Sequence, residues 1–203
     1  MLGAGAWGTA LALAFAGRHA VSLWTWQGEH AEAMNTAREN TQFLPGHAFP
    51  EGLQVGSDAG SLLADADLAI IATPMAGLRS TVARLGDALP FLWVCKGLEA
   101  GTGLLPHQVV AQAKTAAPRG ALTGPSFAEE VAKGLPTAIT LASSDIGFAR
   151  AMADALHTSR LRIYANDDIV GAEVGGAVKN VLAIATCICD GLGLGLNARA
   201  ALM

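Results

Sequence analysis

The chain of 203 residues is long enough for one substantial core, or for one domain and part of a second. Apolar residues make up 52% and charged residues 15%, which excludes extensive disorder, and a net charge of −4 without a basic cluster excludes a general nucleic-acid surface. No apolar run reaches the ~18 residues that span a bilayer and no targeting segment is visible, so we expect no membrane span and a cytoplasmic protein whose three cysteines are reduced.

A glycine-rich turn opens the chain. Gly3-Ala4-Gly5-Ala6-Trp7-Gly8 has the spacing G-x-G-x-x-G and leads directly into residues 9–16, which are typical of a helix. In a dinucleotide-binding fold the first glycine makes the turn out of a strand, the second admits a pyrophosphate, and the third lets the helix pack on the sheet. The motif alone is a weak signal, but the following helix and the strand-like residues 20–24 strengthen it.

Both ends of the chain indicate a fragment. The strand that should precede the turn is reduced to Met1-Leu2, whereas about five residues are usual. At the other end, residues 198–203 stop inside a predicted helix without the Gly, Asn or Pro that ends most helices. We therefore expect the chain to be clipped at both ends.

Strands and helices are predicted to alternate through most of the chain. After the strand at 20–24, further strands are predicted at 53–55, 67–73, 91–95, 121–123, 137–141 and 161–164. The helices between them are predicted at 28–39, 60–64, from residue 75, and at 104–116, 127–132 and 145–156. Residues 40–50 contain two prolines and a glycine and are predicted to be a loop. The alternation predicts an α/β fold with a doubly wound, mostly parallel, Rossmann-type sheet.

The alternation stops at residue 168. Residues 169–189 are predicted to form one long apolar helix, and Asp190 is expected to end it at a glycine-rich loop. We therefore assign residues 1–166 to a dinucleotide-binding domain with a clipped first strand. Residues 167–203 are assigned to the first long helix and loop of an incomplete, all-helical second domain.

Glycines and polar residues gather where the predicted strands end. The carboxyl ends of parallel strands share one edge of the sheet, and ligands of doubly wound sheets bind there. That edge collects the Gly3–Gly8 turn, residues 24–26, Thr73-Pro74, Lys96-Gly97 and Gly124-Pro125-Ser126. This arrangement predicts a cleft for a small anionic molecule.

Two lysines are candidates for chemistry at this edge. Lys96 directly follows a buried strand, and the sequence leaves open whether it enters the cleft or only reaches past the sheet rim into water. Lys179 follows Gly175-Gly176 in the long apolar helix, where glycines cost roughly 1 kcal/mol each, so we expect another element to approach that face. An ammonium group withdrawn from water releases its proton more readily, which suits acid–base catalysis. The alternative for Lys179 is an exposed stripe of the helix.

Other reactive side chains have plainer interpretations. Cys95 has no histidine near it in sequence, and the cysteines show no metal-ligand spacing, so we expect no metal site. Ser126 lacks the G-x-S-x-G setting of a hydrolase and fits better as an oxygen donor to a ligand. Three histidines are expected at the surface: His19, His107 and His157.

Taken together, these segments resemble NAD(P)-dependent glycerol-3-phosphate dehydrogenase of the bacterial type. The resemblance rests on residues 3–12, 40–50, 96–97, 124–132, 175–180 and 190–202 and covers the whole chain in order. It implies hydride transfer between C4 of a nicotinamide and C2 of dihydroxyacetone phosphate, which gives sn-glycerol 3-phosphate for phospholipid synthesis. It also implies NAD or NADP as cofactor, a phosphorylated small molecule as substrate, and a homodimer.

The resemblance assigns roles residue by residue. Lys179 corresponds to the family's proton donor and acceptor, and Lys96 to a lysine that contacts both cofactor and substrate. The cofactor-binding residues would be Gly3, Gly5, Ala6, Trp7, Gly8, Trp26, Phe43, Lys96 and Ala128. The substrate-binding residues would be Lys96, Gly124, Ser126, Lys179 and Asn180.

The chain departs from the family pattern in three respects. The family continues beyond residue 203 with a helical domain whose Arg-Asn pair helps to hold the substrate phosphate. Trp26 stands where many members have Arg or His beside the ribose. No acid closes the second strand, with Glu29 the nearest, so the choice between NAD and NADP stays open and the missing acid favours NADP.

Two other functions stay open at this point. A β-hydroxyacid or 6-phosphogluconate dehydrogenase shares the dinucleotide domain and a lysine on a helix, but those families have an Asn one helical turn after that lysine, where this chain has Ala183. A non-catalytic dinucleotide-sensing module is the second alternative. Such a module would not need two lysines at the cleft.

Overall fold

The computed structural model describes residues 1–113 and 116–202, and every side chain among them except those of Ala113 and Asn180. The helices are α1 Ala6–Ala16, α2 Gly28–Ala37, α3 Ala59–Leu63, α4 Met75–Val82, α5 Pro106–Ala113, α6 Ala128–Ala132, α7 Ile146–Leu156, α8 Ile169–Gly191 and α9 Gly195–Ala201. The strands are β1 Ser22–Trp24, β2 Glu39–Asn40, β3 Leu44–Ala48, β4 Gln54–Gly56, β5 Ala69–Ile71, β6 Phe91–Trp93, β7 Arg119–Thr123, β8 Thr137–Ala142 and β9 Leu161–Asn166.

A mostly parallel sheet forms the centre of the fold. Strands β4 and β1 pair in parallel on one side, and β5, β6, β7, β8 and β9 follow one another in that order on the other. Leu2 joins the two parts, because it forms parallel bridges to Trp24 of β1 and Ile71 of β5. Within this sheet, as far as the chain is described, only β7 and β8 run antiparallel. The predicted Rossmann-type fold class is confirmed.

Helices cover both faces of the sheet because the strands are apolar on both faces. Phe91 and Trp93 of β6 pack into one core with α4 and α5. Leu92, between them in sequence, packs into a second core with α1 and α7. Successive side chains of a strand point to opposite faces, so each central strand contributes to two layers.

The prediction of a loop at residues 40–50 is wrong, because β2 and β3 form an antiparallel hairpin there. The side chain of Asn40 explains this fold. It is fully buried, and its amide donates to the carbonyl of Ala4 at 2.9 Å and to the hydroxyl of Thr9 at 2.8 Å. The hairpin is therefore tied to the first turn of α1.

The expected end of the long helix at Asp190 is also revised. Helix α8 continues to Gly191, and the carboxylate of Asp190 pairs with Arg199 of α9 at 3.1 Å. The predicted helix at 104–116 is shorter at its start, beginning at Pro106, and residues 114 and 115 lie outside the described chain.

No single helix in the described chain is long and apolar enough to cross a membrane. The halves of α8, Ile169–Lys179 and Val181–Gly191, meet the criteria of length and composition only when they are taken together, and they are bent by 44° relative to each other.

Candidate dinucleotide and substrate site

Each glycine of the opening turn has a distinct structural reason. Gly3 has a φ of +122°, and a Cβ there would lie 2.7 Å from the carbonyl group of Ala72. A Cβ on Gly8 would overlap the carbonyl oxygen of Gly3 and lie 2.9 Å from the Cβ of Ala72. A Cβ on Gly5 would have nothing within 4 Å. Gly3 and Gly8 therefore permit close packing of the turn, whereas Gly5 borders open space.

The open space at Gly5 is suited to an anion. Gly5 is the N-cap of α1, a helix of 11 residues, and no side chain caps the N–H groups of its first turn. Free N–H groups at a helix N-terminus bind phosphate well. Beside this turn, the buried hydroxyl oxygen of Thr73 has no hydrogen-bond partner. A phosphate group would satisfy the free N–H groups of α1, so the residues of this turn fit a dinucleotide.

A buried polar network holds the turn in place from behind. His30 lies between Thr25 and Asn40, with its Nδ1 3.3 Å from the hydroxyl of Thr25 and its Nε2 3.1 Å from Oδ1 of Asn40. The side-chain amide of Asn40 extends this network by donating hydrogen bonds to Ala4 and Thr9. The sequence analysis missed this network, because its members are spread over the turn, α1, α2 and the hairpin. The one local hint was a polar Asn opening a segment rich in proline.

The three aromatic residues predicted to contact the cofactor differ in their exposure to solvent. Trp26 follows β1 and is 74% exposed, and Phe43 of the hairpin is 45% exposed. Trp7 is half-buried and packs with Leu44 and Val131, so it has a structural role in the fold. Two small residues predicted to contact the cofactor, Ala6 and Ala128, are half-buried.

Lys96 lies against the loop after β7 and does not extend past the sheet rim into water. Its ammonium group donates to the carbonyl oxygen of Gly124 at 2.7 Å and to the hydroxyl of Ser126 at 2.9 Å. Burial, and to a lesser extent the charge of Lys179, together lower the pKa of Lys96 to about 8. Gly124 has a φ of +144° and lies against Ile139, so the loop after β7 turns sharply at this point.

Lys179 lies on the other side of the same loop. Its ammonium nitrogen is 4.9 Å from the ring centroid of Phe127, a cation–π distance. The expected close approach occurs at Gly176, where a Cβ would be 2.9 Å from the hydroxyl of Thr123. Gly175 faces open space. The expectation that Lys179 is cut off from water is wrong, since its side chain is half-buried and Val181 nearby is 65% exposed.

The structure therefore brings Lys96, Lys179, Gly124 and Ser126 together around one loop. The charge of Lys179 is the second cause, after burial, of the lowered pKa of Lys96, as expected for two ammonium groups around one loop. Asn180, predicted to bind substrate, has a side chain outside the described ones. What this arrangement can do is bind an anion and stabilise negative charge that develops on an oxygen.

A buried carboxylate behind the lysines was not predicted. Glu173 accepts hydrogen bonds from the indole of Trp93 at 2.8 Å and from the backbone N–H of His107 at 2.9 Å. The ring of His107 lies 2.6 Å from its second oxygen. The expectation of a surface role for His107 is therefore wrong. No spacing signal links residues 66 positions apart, so the pairing could not be found from the sequence.

Three further observations concern groups that could have carried other chemistry: a thiol, a cavity and metal ligands. Burial, together with the charge of Glu173, raises the pKa of the Cys95 thiol to about 12, which makes it a poor nucleophile. A cavity of about 530 Å³ lies at the opposite, amino edge of the sheet, lined by side chains that include Phe15, Ile70 and Met152. Among the described residues, no group of three or more His, Cys, Asp or Glu could hold a metal ion.

The parallel sheet, the glycine turn with its open second glycine and the free N-terminus of α1 define the class of dinucleotide-binding α/β proteins. Comparison with known families agrees with this class. The N-terminal model of NAD-dependent glycerol-3-phosphate dehydrogenase matches residues 1–149, and the C-terminal model of the same family matches residues 168–203. The chain belongs to the NAD-dependent glycerol-3-phosphate dehydrogenase family.

Individual relatives support this membership. The glycerol-3-phosphate dehydrogenase (NAD(P)+) of Dechloromonas aromatica is 61% identical over 207 residues, and that of Aromatoleum aromaticum is 56% identical. Each match covers 100% of this chain and 63% of the relative, so the chain spans about 63% of the length of these proteins. The crystal structure of glycerol-3-phosphate dehydrogenase from Coxiella burnetii superposes with a TM-score of 0.88 at 43% identity, covering 99% of this chain and 63% of that one.

Proposed function

We propose that this chain carries the dinucleotide site and the proton-transferring lysine of an NAD(P)-dependent glycerol-3-phosphate dehydrogenase. The reaction interconverts dihydroxyacetone phosphate and sn-glycerol 3-phosphate. One observation supports this function most directly: Lys96 and Lys179 converge on the loop after β7, at the carboxyl edge of the sheet that also carries the glycine turn.

The cofactor, when bound, supplies or accepts the hydride at C4 of its nicotinamide. Gly5 leaves room for the pyrophosphate, and the first N–H groups of α1 bind it. Gly3 and Gly8 keep this turn in shape. The other proposed contacts lie around the same edge: Ala6, Trp7, Trp26, Phe43, Lys96 and Ala128.

The choice between the two dinucleotides follows from the end of β1. Trp26 is exposed there and no carboxylate closes the strand, so the group that would bind a ribose 2′-hydroxyl and repel a 2′-phosphate is missing. NADP is therefore the favoured cofactor, and NAD is not excluded. Comparing Kd for NADH and NADPH by fluorescence titration tests this. Tighter binding of NADH would contradict it.

The two lysines divide the work on the substrate. As hydride reaches C2, negative charge develops on the carbonyl oxygen, and a nearby ammonium group stabilises it. Lys179 donates a proton to that oxygen and accepts it back in the reverse direction. Lys96, held by Gly124 and Ser126, binds the anionic substrate. Asn180 is proposed as a further substrate contact.

The same proposal includes the roles of the two domains, the cellular location and the oligomeric state. Residues 1–166 act as the dinucleotide-binding domain, and residues 167–203 begin the helical substrate domain. The protein works in the cytoplasm, where its three free cysteines stay reduced, and forms a homodimer. Sedimentation at several concentrations tests the homodimer, and a constant monomer mass would contradict it.

A chimera tests the activity. Residues 1–203 are joined to the portions of the Dechloromonas aromatica relative that the alignment leaves uncovered, and the loss of NADH or NADPH absorbance is followed with dihydroxyacetone phosphate. We expect turnover that falls by about 10²–10⁴ in Lys179→Ala. Lys133→Ala removes an exposed lysine, paired with Glu129, and serves as the matched control. Turnover on a 3-hydroxy acid alone, or dinucleotide binding without turnover, would contradict the proposal.

A further inference from the structure

Glu173 is buried behind the two lysines and has no part in the reaction as proposed. All three of its hydrogen bonds connect α8 to other elements. Trp93 belongs to β6, and His107 belongs to the first turn of α5. A carboxylate taken out of water this completely is retained at a considerable desolvation cost, so its hydrogen bonds must hold it in one position.

These hydrogen bonds lie where the two lysine-bearing segments cross. Trp93 precedes Lys96 by three residues, and Glu173 precedes Lys179 by six. Halfway between Glu173 and Lys179, Gly176 packs tightly on the hydroxyl of Thr123 and lies beside the side-chain stem of Lys96, whose Cγ would be 3.6 Å from a Cβ at this position. The Trp93–Glu173 hydrogen bond is therefore a direct, buried link between the two segments.

The first half of α8 has few other fixed points. Among its described side chains, Glu173 is the only buried one, while Val174 and Val178 are exposed. Ile169 packs against the apolar core, and Gly176 lies against Thr123 of β7. Between these two packing contacts, Glu173 supplies the buried hydrogen bonds that fix the position of this half of the helix.

We propose that Glu173 is a positioning residue that sets the separation between the ammonium groups of Lys96 and Lys179. Its consequence for catalysis rests on the proposed function, but the separation itself does not. Because the charge of Lys179 contributes to the low pKa of Lys96, that pKa reports the separation without any turnover.

The test uses the 203-residue chain with ¹³C-labelled lysine and follows the Cε signals by NMR as the pH is raised. The sequence has four lysines, Lys96, Lys114, Lys133 and Lys179, so each signal can be assigned by single substitution. In the unaltered chain Lys96 is expected to titrate near pH 8. In Lys179→Met its pKa is expected to rise by at least about 0.5 units, because a like charge is removed.

Glu173→Ala is expected to raise the pKa of Lys96 by a similar amount, as Lys179 moves away. Removing a carboxylate would by itself lower a lysine pKa, so the expected direction distinguishes displacement from a direct charge effect. Trp93→Phe keeps the aromatic ring and removes one donor, and should give a smaller rise. Asp145→Ala, which removes the side-chain N-cap of α7, is the control for lost stability and should leave Lys96 unchanged.

An unchanged pKa of Lys96 in both Glu173→Ala and Trp93→Phe would show that Glu173 only stabilises the fold, and would overturn the proposal. If Glu173→Ala does not fold, Trp93→Phe decides. An unchanged Lys96 in Lys179→Met would also overturn it, because the two charges would then not be coupled. In the chimera, Glu173→Gln should lower kcat about tenfold without changing KM for the dinucleotide. An inactive chimera would count against the proposed function and leave the NMR result standing.

Discussion

The two edges of the central sheet differ: the amino edge has the cavity, whereas the carboxyl edge has the groups suited to binding an anion. The amino edge has a cavity of about 530 Å³ whose lining mixes apolar side chains such as Phe15 and Ile70 with the carboxylates Asp65 and Asp67. The carboxyl edge has the open glycine Gly5, the unpaired hydroxyl of Thr73 and two lysines whose charges influence each other. A large cavity does not by itself indicate chemistry. Polar groups that still need a partner are the better sign of a binding site.

The polarity of the helices explains why the carboxyl edge has this role. A helix that follows one of the parallel strands β5 to β7 begins at the carboxyl edge, as α4 and α6 do, and α1 begins there after Leu2, whereas α7 follows the antiparallel strand β8 and begins at the other edge. Helix N-termini carry partial positive charge and free N–H groups, so α1, α4 and α6 favour an anion at the carboxyl edge. The lysines add full positive charges in the same place.

The largest expected effect comes from Gly8→Ala. The new Cβ would overlap the carbonyl oxygen of Gly3, a backbone atom that cannot move without opening the turn. We expect the free energy of unfolding to fall by about 3 kcal/mol or more, measured by urea denaturation. A change of less than about 1 kcal/mol would mean that the turn is not closely packed.

Gly5→Ala is the matched substitution in the same turn. Its Cβ would enter open space and its φ of −75° suits any residue, so stability should change by less than about 1 kcal/mol. We expect the Kd for NADPH to rise about tenfold, because the methyl group occupies the space proposed for the pyrophosphate. Unchanged binding by fluorescence titration would move the dinucleotide away from this turn.

The pH dependence of the chimera tests the charge of Lys96. Its pKa is lowered to about 8, so it loses its positive charge above that pH, whereas an ordinary lysine stays charged to about pH 10. We expect kcat/KM for dihydroxyacetone phosphate to fall about tenfold per pH unit above pH 8. Lys96→Arg should move the break to higher pH. A break that stays at the same pH in this variant would assign it to another group.

The smallest effect is expected at the amino edge. Ala66→Leu places a larger apolar side chain into the lining of the cavity there. The Kd for NADPH should change by less than about twofold, measured in the same titration as for Gly5→Ala, since non-contacting sites act independently. A tenfold loss would show that the two edges are not separate.

The sequence was most informative where a local pattern determines the structure. The alternation of apolar strands and helices predicted the sheet, and the glycine spacing predicted the turn and its edge. Several strands are shorter than predicted: apolar residues 67–73 suggested seven, and β5 is Ala69–Ile71. The last three strands are longer than predicted: β7 is Arg119–Thr123, β8 is Thr137–Ala142 and β9 is Leu161–Asn166. Hydropathy alone therefore does not determine where the hydrogen-bonded pairing of a strand begins and ends.

Contacts between distant residues could not be predicted. Glu173 with His107, and His30 with Asn40, are ordinary polar residues in sequence and become a network only when the chain folds. The prediction for Lys179 was wrong for a different reason. An apolar helix was taken to mean a buried helix, yet much of the apolar surface of α8 is exposed in the described chain.

A crystal structure of the chain soaked with NADPH tests the central claim most directly. We predict that the pyrophosphate lies against the N–H groups of α1 beside Gly5, with the nicotinamide next to the ammonium groups of Lys96 and Lys179. A dinucleotide bound in the amino-edge cavity, or one whose nicotinamide lies away from both lysines, would contradict the account.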